Sequence, residues 1–248
     1  MAAIPRSEPF AQRACPLGAC DGSGWILGPE DVARPCECRE QRLRRGRVRG
    51  VASAIPPRYR GVSFDRPPVS DMARQPETRE AVGQVRSFIE NVDSNLEAGQ
   101  GLWLFGDTGT GKTTLAMLVS KAALEGGCSV AIYSLPKLLA RIRRTFEAGA
   151  DGDSYAVFFE RLTAVDLLHI DDFGAEKSSD WVLEQLYALV NERYEAERSI
   201  MLTTNLTVDK LEDQIGRRTV SRLSETCVQI PLFGADRRLE KGPYEPSR

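Results

Sequence analysis

Hydrophobic side chains recur along most of this chain with two alternating periods. Between residues 76 and 98, Ala81, Val85, Phe88, Ile89 and Val92 fall at helical spacing. The next apolar stretch, LWLF at 102–105, ends in a glycine-rich turn and opens into a second helical pattern over 112–125. CSVAIY at 128–133 reads as a strand, and LPKLLARIRRTF after it as an amphipathic helix. Leu135, Leu138, Leu139, Ile142 and Phe146 share one face of that helix, with Lys137, Arg141 and Arg144 on the other. Residues 155–162 predict a short helix, VDLLHI at 165–170 a buried strand, and 181–196 a helix with Val182, Leu186, Leu189, Val190 and Tyr194 inward. SIMLTT and CVQIPL predict two more strands. Five apolar strands alternating with helices imply an α/β fold, a parallel sheet covered by helices on both faces.

The first 75 residues break this rhythm. In IPPRYRGVSFDRPP, Pro56, Pro57, Pro67 and Pro68 restrict the backbone and block both helix and central strand, which predicts a linker or irregular arm over 51–75. The expected organisation is therefore a small module at 1–50, the arm, and an α/β domain at 76–248. The net charge of −2 conceals a gradient along the same axis: residues 1–60 hold eleven Arg against six acidic side chains, and the other 188 hold 22 basic against 29 acidic. The densest basic run is Arg39, Arg42, Arg44, Arg45, Arg47 and Arg49. No stretch approaches the ~20 apolar residues of a spanning helix, and the N-terminus lacks the apolar centre of a signal peptide, so a cytoplasmic protein without a membrane partner is expected.

In a reducing cytoplasm, clustered cysteines are read for metal before disulfides. Cys15, Cys20, Cys36 and Cys38 form two close pairs around a glycine-rich stretch, and four thiolates satisfy a tetrahedral Zn²⁺. Their spacings of four and one differ from the two residues usual in zinc ribbons. Cys128 and Cys227 each begin an apolar strand and read as small buried side chains.

The strongest chemical signal is the run Gly106, Asp107, Thr108, Gly109, Thr110, Gly111, Lys112 and Thr113, followed by Thr114. It matches the phosphate-binding pattern G-x-x-x-x-G-K-[ST], after a strand and before a helix, as the mechanism requires. The glycines let successive N–H groups turn toward phosphate oxygens, and the helix N-terminus adds partial positive charge. Lys112 then reaches the β and γ phosphates of ATP, and Thr113 ligates Mg²⁺. A glycine turn capping an ordinary helix is the plainer alternative. The partner carboxylate should leave a buried strand of the same sheet, and Asp171 and Asp172 do so: Asp171 for the metal, Asp172 for the attacking water. Two turn acids would look the same in isolation. His169, inside that strand, reads as a core or interface residue. Asn205 ends the SIMLTT strand where it can meet the γ-phosphate, and the short basic helix in IGRRTVSRL carries Arg217, Arg218 and Arg222.

Together the phosphate loop, LLHIDD at 167–172, MLTTN at 201–205 and GRRTVSRL at 216–223 resemble the AAA+ ATPases, and within them the DnaC/DnaI/IstB group. The resemblance covers about residues 100–248 and implies a P-loop AAA+ fold with five parallel strands. It makes Lys112, Asp171 and Asp172 catalytic, matches Asn205 to the sensor asparagine and Arg222 to the arginine finger, and Ser134 to a polar switch. Many AAA+ proteins have Glu where Asp172 stands, and the shorter side chain suits slow, switch-like hydrolysis. The segment 135–162 resembles the insertion of initiators and helicase loaders, which implies contacts from Lys137, Arg141, Arg143 and Arg144 to single-stranded DNA, with Phe146 as a stacking face. The cysteine segment with RPCECRE resembles the zinc-binding module of DnaI-like loaders, which docks on the replicative helicase. The basic run 39–49 fits either nucleic acid or an acidic helicase surface.

The resemblance thus implies an ATPase that self-assembles as a hexamer or spiral and loads a DnaB-type hexameric helicase onto single-stranded DNA. An IstB-like ATPase assisting a DNA transposase is the nearest alternative, and the paired cysteines weigh against it. A small-molecule P-loop kinase is disfavoured by Asn205 and Arg222, and a zinc adaptor with little hydrolysis differs from the loader only in rate.

Overall fold

The computed structural model describes residues 15, 17–21, 25–27, 33–38, 55–147, 154–174 and 179–237. The chain divides into two compact units, within 1–49 and 50–248.

In the first unit, β1 (Trp25–Leu27) pairs antiparallel with β2 (Ala33–Pro35), Trp25 opposite Pro35. Cys36 leaves β2 directly. Across from it, a tight turn in which the Gly18 N–H donates to the Cys15 carbonyl at 3.0 Å brings Cys15 and Cys20 to the same place. The basic run 39–49 lies outside the described residues.

The second unit is built on a five-stranded sheet in the order β4-β5-β6-β3-β7, every neighbouring pair parallel. The strands are β3 (Gly101–Gly106), β4 (Val130–Ser134), β5 (Leu167–Asp171), β6 (Ser199–Thr204) and β7 (Cys227–Leu232). β6 is buried at all six positions and β3 at five, as expected of central strands covered on both faces. The helices are α1 (Val69–Arg74), α2 (Pro76–Glu90), α3 (Val92–Glu97), α4 (Lys112–Glu125), α5 (Leu135–Glu147), α6 (Tyr155–Ala164), α7 (Asp180–Glu195), α8 (Val208–Ile215) and α9 (Arg217–Thr226). Val82, Val85 and Phe88 of α2 and Leu115, Ala116 and Val119 of α4 close one core with Leu102, Leu104 and Ile230 of the sheet.

Three elements depart from the expected pattern. The helix expected over 76–98 is interrupted at Asn91, whose Nδ2 donates to the Ser87 carbonyl at 3.0 Å while Asn95 Nδ2 donates to that of Phe88 at 3.0 Å. These asparagines satisfy the carbonyls that an uninterrupted helix would have used. The proline-rich arm is not detached from the domain. Within it α1 forms between Pro68 and Pro76, Val69 and Met72 are fully buried, and Val62 and Phe64 pack on the same core. The Lys121 ammonium donates to the Val62 carbonyl at 3.3 Å, and Arg86 lies over the Phe64 ring at 4.2 Å. In α5, Leu135, Leu138, Leu139 and Ile142 are buried as the pattern predicts, but Phe146 at the end of the face is 57% exposed. It stacks on Tyr155 of α6 with ring centroids 4.6 Å apart. Cys227 is buried as expected; Cys128 is only half-buried, its thiol 3.7 Å from Asp93 Oδ1.

Arg193 is a fully buried charge in α7. Its guanidinium donates to five carbonyls, those of Leu162, Thr163, Val165, Asp166 and Ser199. Burial pulls its pKa down to about 9, so it remains a cation at neutral pH. One side chain thus ties the end of α6 and the start of β5 to the start of β6.

Candidate functional site

The carboxyl ends of β5, β6 and β3 meet at one edge of the sheet, where open parallel sheets place their ligands. Phe105 is paired with Thr204, Ile170 with Leu202, and Ser134 of β4 with Asp171, so four strand ends are level. The phosphate loop leaves β3 at Gly106 (φ 133°), where a Cβ would lie 2.0 Å from the Leu232 carbonyl oxygen. Only glycine permits this close approach to β7. Gly111 (φ 105°) forms the N-cap of α4, which begins at Lys112. Thr110 Oγ1 donates to the Asp107 carbonyl at 2.9 Å and pins the turn. The Lys112 ammonium is buried and donates to the carbonyls of Gly106 and Asp107, the former at 3.0 Å.

The metal-binding candidates converge on one oxygen. Thr113 Oγ1 donates to Asp171 Oδ1 at 2.8 Å, and Thr203 Oγ1 donates to the same oxygen at 2.6 Å. Thr203 also accepts from the Asp172 N–H at 3.1 Å, and its carbonyl accepts from the Phe173 N–H at 2.7 Å. Asp172 is held in the left-handed region at φ 54°, uncommon for a non-glycine residue and concentrated at functional sites. It is exposed, whereas Asp171 is half-buried. A hydroxyl and a carboxylate at contact distance are the hard oxygen donors that Mg²⁺ prefers, so Thr113 and Asp171 fit that ion. Thr203 is the functional residue that motif reading passed over; its signal is a pair of threonines ending an otherwise apolar strand.

Two positions behind the site, His169 Nδ1 lies 2.9 Å from Ser120 Oγ of α4. The ring is fully buried, and that burial lowers its pKa to about 4 against the opposing pull of Asp171, so the imidazole is neutral and structural. Asn205 is exposed one residue beyond β6.

Arg222 sits apart from this cluster on α9. Its guanidinium lies over the rings of Tyr187 and Tyr194 at 5.1 and 5.5 Å, while Arg217 and Arg218 on the same helix are exposed. The Tyr194 hydroxyl donates to Glu225 at 2.9 Å, which holds its ionisation above the usual range. The basic group of α5 is divided. Lys137, Arg143 and Arg144 are exposed, with Arg143 over the Trp181 ring at 4.7 Å. Arg141 is half-buried, donates to the Tyr133 hydroxyl at 3.1 Å and lies over Phe158 at 4.8 Å. Phe146, Tyr155 and Phe159 form a continuous series of rings beside them.

In the first unit, the sulfurs of Cys15, Cys20, Cys36 and Cys38 all lie within 4.8 Å of one another, Cys15 to Cys36 at 3.9 Å and Cys20 to Cys38 at 3.5 Å. A tetrahedron of ~2.3 Å Zn–S bonds has edges of about 3.8 Å, while a disulfide requires ~2.05 Å. The cluster fits a metal and contains no disulfide.

Known proteins share this architecture. Replicative helicase loader DnaC of Escherichia coli K12 is 27% identical over 144 residues, 58% of this chain and 56% of its own length, so the chain spans little more than half of that relative. Uncharacterized protein YdaV of the same organism is 25% identical over 202 residues, 81% of this chain and 77% of its own. A crystal structure of the DnaC helicase loader superimposes with a TM-score of 0.60 at 26% identity, covering 71% of this chain and 99% of that one. Replication initiator DnaA bound to AMPPCP and single-stranded DNA shares the fold, with a TM-score of 0.59 at 22% identity over 73% of this chain and 51% of its own. No helix among the described residues is long and apolar enough to cross a membrane. The profile of the IstB-like ATP binding proteins matches residues 84–238, and the chain belongs to that family, with an AAA+ fold.

Proposed function

We propose that this protein is a cytoplasmic, ATP-switched loader that places a DnaB-type hexameric helicase on single-stranded DNA. The observation that carries this reading is the convergence of Thr113 and Thr203 on Asp171 Oδ1, which joins the phosphate loop to two strand ends in a chain homologous to DnaC loaders. Gly106 to Thr114 would wrap the phosphates of ATP, with Lys112 turning from the loop carbonyls to the β and γ oxygens. Thr113 and Asp171 would hold Mg²⁺, which when bound neutralises charge on the phosphates. Asp172, fixed by Thr203, would orient the attacking water, and exposed Asn205 would face the γ-phosphate. Arg222 would act on the site of a neighbouring copy in a hexamer or spiral, for which it must leave Tyr187 and Tyr194. The short Asp172 carboxylate suits slow hydrolysis.

Residues 76–248 form the ATPase domain in this reading, and 1–50 a zinc-stapled module that docks on the helicase. Cys15, Cys20, Cys36 and Cys38 would hold Zn²⁺, which supplies the folding energy that so small a segment lacks. Lys137, Arg141, Arg143 and Arg144 would follow the phosphates of single-stranded DNA. The test is capture of the host DnaB-type helicase by the full chain with and without ATP. ATP-dependent capture by wild type and its loss in Lys112→Ala support the loader; no capture in either state sinks it. A second reading, assistance to a DNA transposase, draws on the family match to IstB-like proteins, and capture of the transposase instead of the helicase would establish it.

A further inference from the structure

Two side-chain hydrogen bonds join α4 to β5, one in the site and one behind it. At the front, Thr113 Oγ1 donates to Asp171 Oδ1 at 2.8 Å. Behind it, Ser120 Oγ and His169 Nδ1 are 2.9 Å apart, and both residues are wholly buried. Thr113 and Ser120 are seven residues apart, two helical turns less ~20°, so they share one face of α4 about 10.5 Å apart along it. His169 and Asp171 are two residues apart in a strand, so they share one face of β5 about 6.6 Å apart. Helix and strand are thus pinned at two levels along facing surfaces.

The rear pair is a polar contact between two otherwise apolar surfaces. Leu115, Ala116, Val119 and Ala123 of α4 are buried, as are Leu167, Leu168 and Ile170 of β5. His169 Nε2 has no hydrogen-bond partner among the described residues, so the bond to Ser120 is what orients the ring. An apolar pair would fill these positions without stranding a nitrogen. Apolar contact is non-directional, however, and leaves a helix free to rotate or slide on a sheet. A hydrogen bond confines its two atoms to a narrow range of distance and angle.

We propose that Ser120 and His169 are a positioning pair for the metal-nucleotide site: their bond holds α4 at the rotation and height on β5 that keep the Thr113 hydroxyl on the Asp171 carboxylate. The proposal rests on the nucleotide-site reading above, in which both oxygens serve Mg²⁺. The pair lies behind the site and acts through Thr113 and Asp171. Thr203 fixes the carboxylate from the side of β6, and the Ser120–His169 bond fixes the hydroxyl from the side of α4. Partners that orient metal ligands are typically worth 10–100-fold, and a pair acting from one contact further away belongs at the low end of that range.

The test is calorimetric titration of the full-length protein with a non-hydrolysable ATP analogue, with and without Mg²⁺, beside urea unfolding of the nucleotide-free protein. The readout is the gain in affinity that Mg²⁺ brings. Ser120→Ala should reduce that gain by ~10-fold while the Mg²⁺-free affinity is little changed. His169→Asn, whose amide stands where Nδ1 stood, should keep most of it. Ser120→Ala combined with His169→Leu separates positioning from packing, because it leaves an apolar pair with no stranded polar atom. Its urea midpoint should be at or above that of Ser120→Ala, yet its Mg²⁺ gain should stay ~10-fold below wild type. A double variant with the full wild-type gain overturns the positioning role and leaves the nucleotide site standing. Should the double variant not fold, Ser120→Ala decides in its place, and an undiminished gain there overturns the role equally. Wild type that binds the analogue equally with and without Mg²⁺ overturns the metal site, and wild type that does not bind it overturns the nucleotide site; the pair's role falls with either.

Discussion

The Thr203 hydroxyl donates to Asp171 Oδ1 and accepts the N–H of Asp172, so one side chain at the end of β6 fixes both acidic residues at the end of β5. Thr203→Val removes the hydroxyl at almost constant volume. It leaves the Asp172 amide without that acceptor and costs about 1–3 kcal/mol in a half-buried setting. Partners that orient metal ligands are typically worth 10–100-fold. Mg²⁺-dependent ATP turnover should therefore fall by ~10-fold or more in Thr203→Val and recover in Thr203→Ser. Equal turnover in the valine variant and wild type would show that Thr203 only supports the fold.

Gly106 carries both the turn into the phosphate loop and the contact of that loop with β7. Gly106→Ala puts a methyl group 2.0 Å from the Leu232 carbonyl oxygen at a φ of 133°. Such a backbone conformation costs about 1–3 kcal/mol for a non-glycine residue before the clash is counted. The expected result is loss of measurable ATP binding, with a melting temperature lowered by several degrees. Calorimetric titration and thermal unfolding of the same sample check both.

Arg193 serves five carbonyls from a fully buried position. Arg193→Leu keeps the apolar stem and strands those acceptors; breaking a buried charged network in this way costs about 3–5 kcal/mol. Arg193→Lys retains the charge but not the planar fork, and should fall between leucine and wild type. Urea unfolding midpoints in that order are expected, and a leucine variant as stable as wild type would refute the anchoring role.

Much of this fold is legible in the sequence because strands buried on both faces leave continuous apolar runs. SIMLTT becomes β6 at the residues expected and is buried throughout, while CVQIPL, also at the residues expected, becomes the edge strand β7 with Val228, Gln229 and Pro231 exposed. What periodicity misses is set by single polar groups or by distant packing. Asn91 and Asn95 divide one helix into α2 and α3 through side-chain bonds that an apolar count does not register. Val69 and Met72 turn a proline-bounded arm into α1 because a core formed by later residues is there to receive them. In the site, the phosphate loop and Asp171 announce themselves by type and spacing. Thr203 does not, since its place beside Asp171 depends on which strands are neighbours.

Chelation tests the proposed metal site of the first unit separately from the proposed nucleotide site of the second. Four sulfurs within 4.8 Å of one another are expected to bind one Zn²⁺, and replacing Cys36 and Cys38, the two buried members, by serine should abolish it. If the ion supplies the folding energy of so short a segment, chelation should unfold it. ATP affinity, assigned by the proposed function to the second unit, should change by less than twofold. Elemental analysis of freshly purified reduced protein and a nucleotide titration after chelation check the two halves, and protein without stoichiometric zinc would remove the site.

Arg222 offers a test of assembly because the surroundings observed for it are its own tyrosines. Stacking on Tyr187 and Tyr194 is worth about 0.5–1 kcal/mol for a partly exposed pair, so Arg222→Ala should lower stability only slightly. If the same side chain reaches the site of a neighbouring copy, wild-type ATPase activity per molecule rises with protein concentration. In Arg222→Ala that rise disappears while ATP affinity is unchanged. Tyr187→Leu, which weakens the hold on the guanidinium without removing it, should move the half-maximal concentration downward. A variant at Arg222 that keeps the full concentration dependence assigns the role elsewhere on α9, where Arg217 and Arg218 are already exposed.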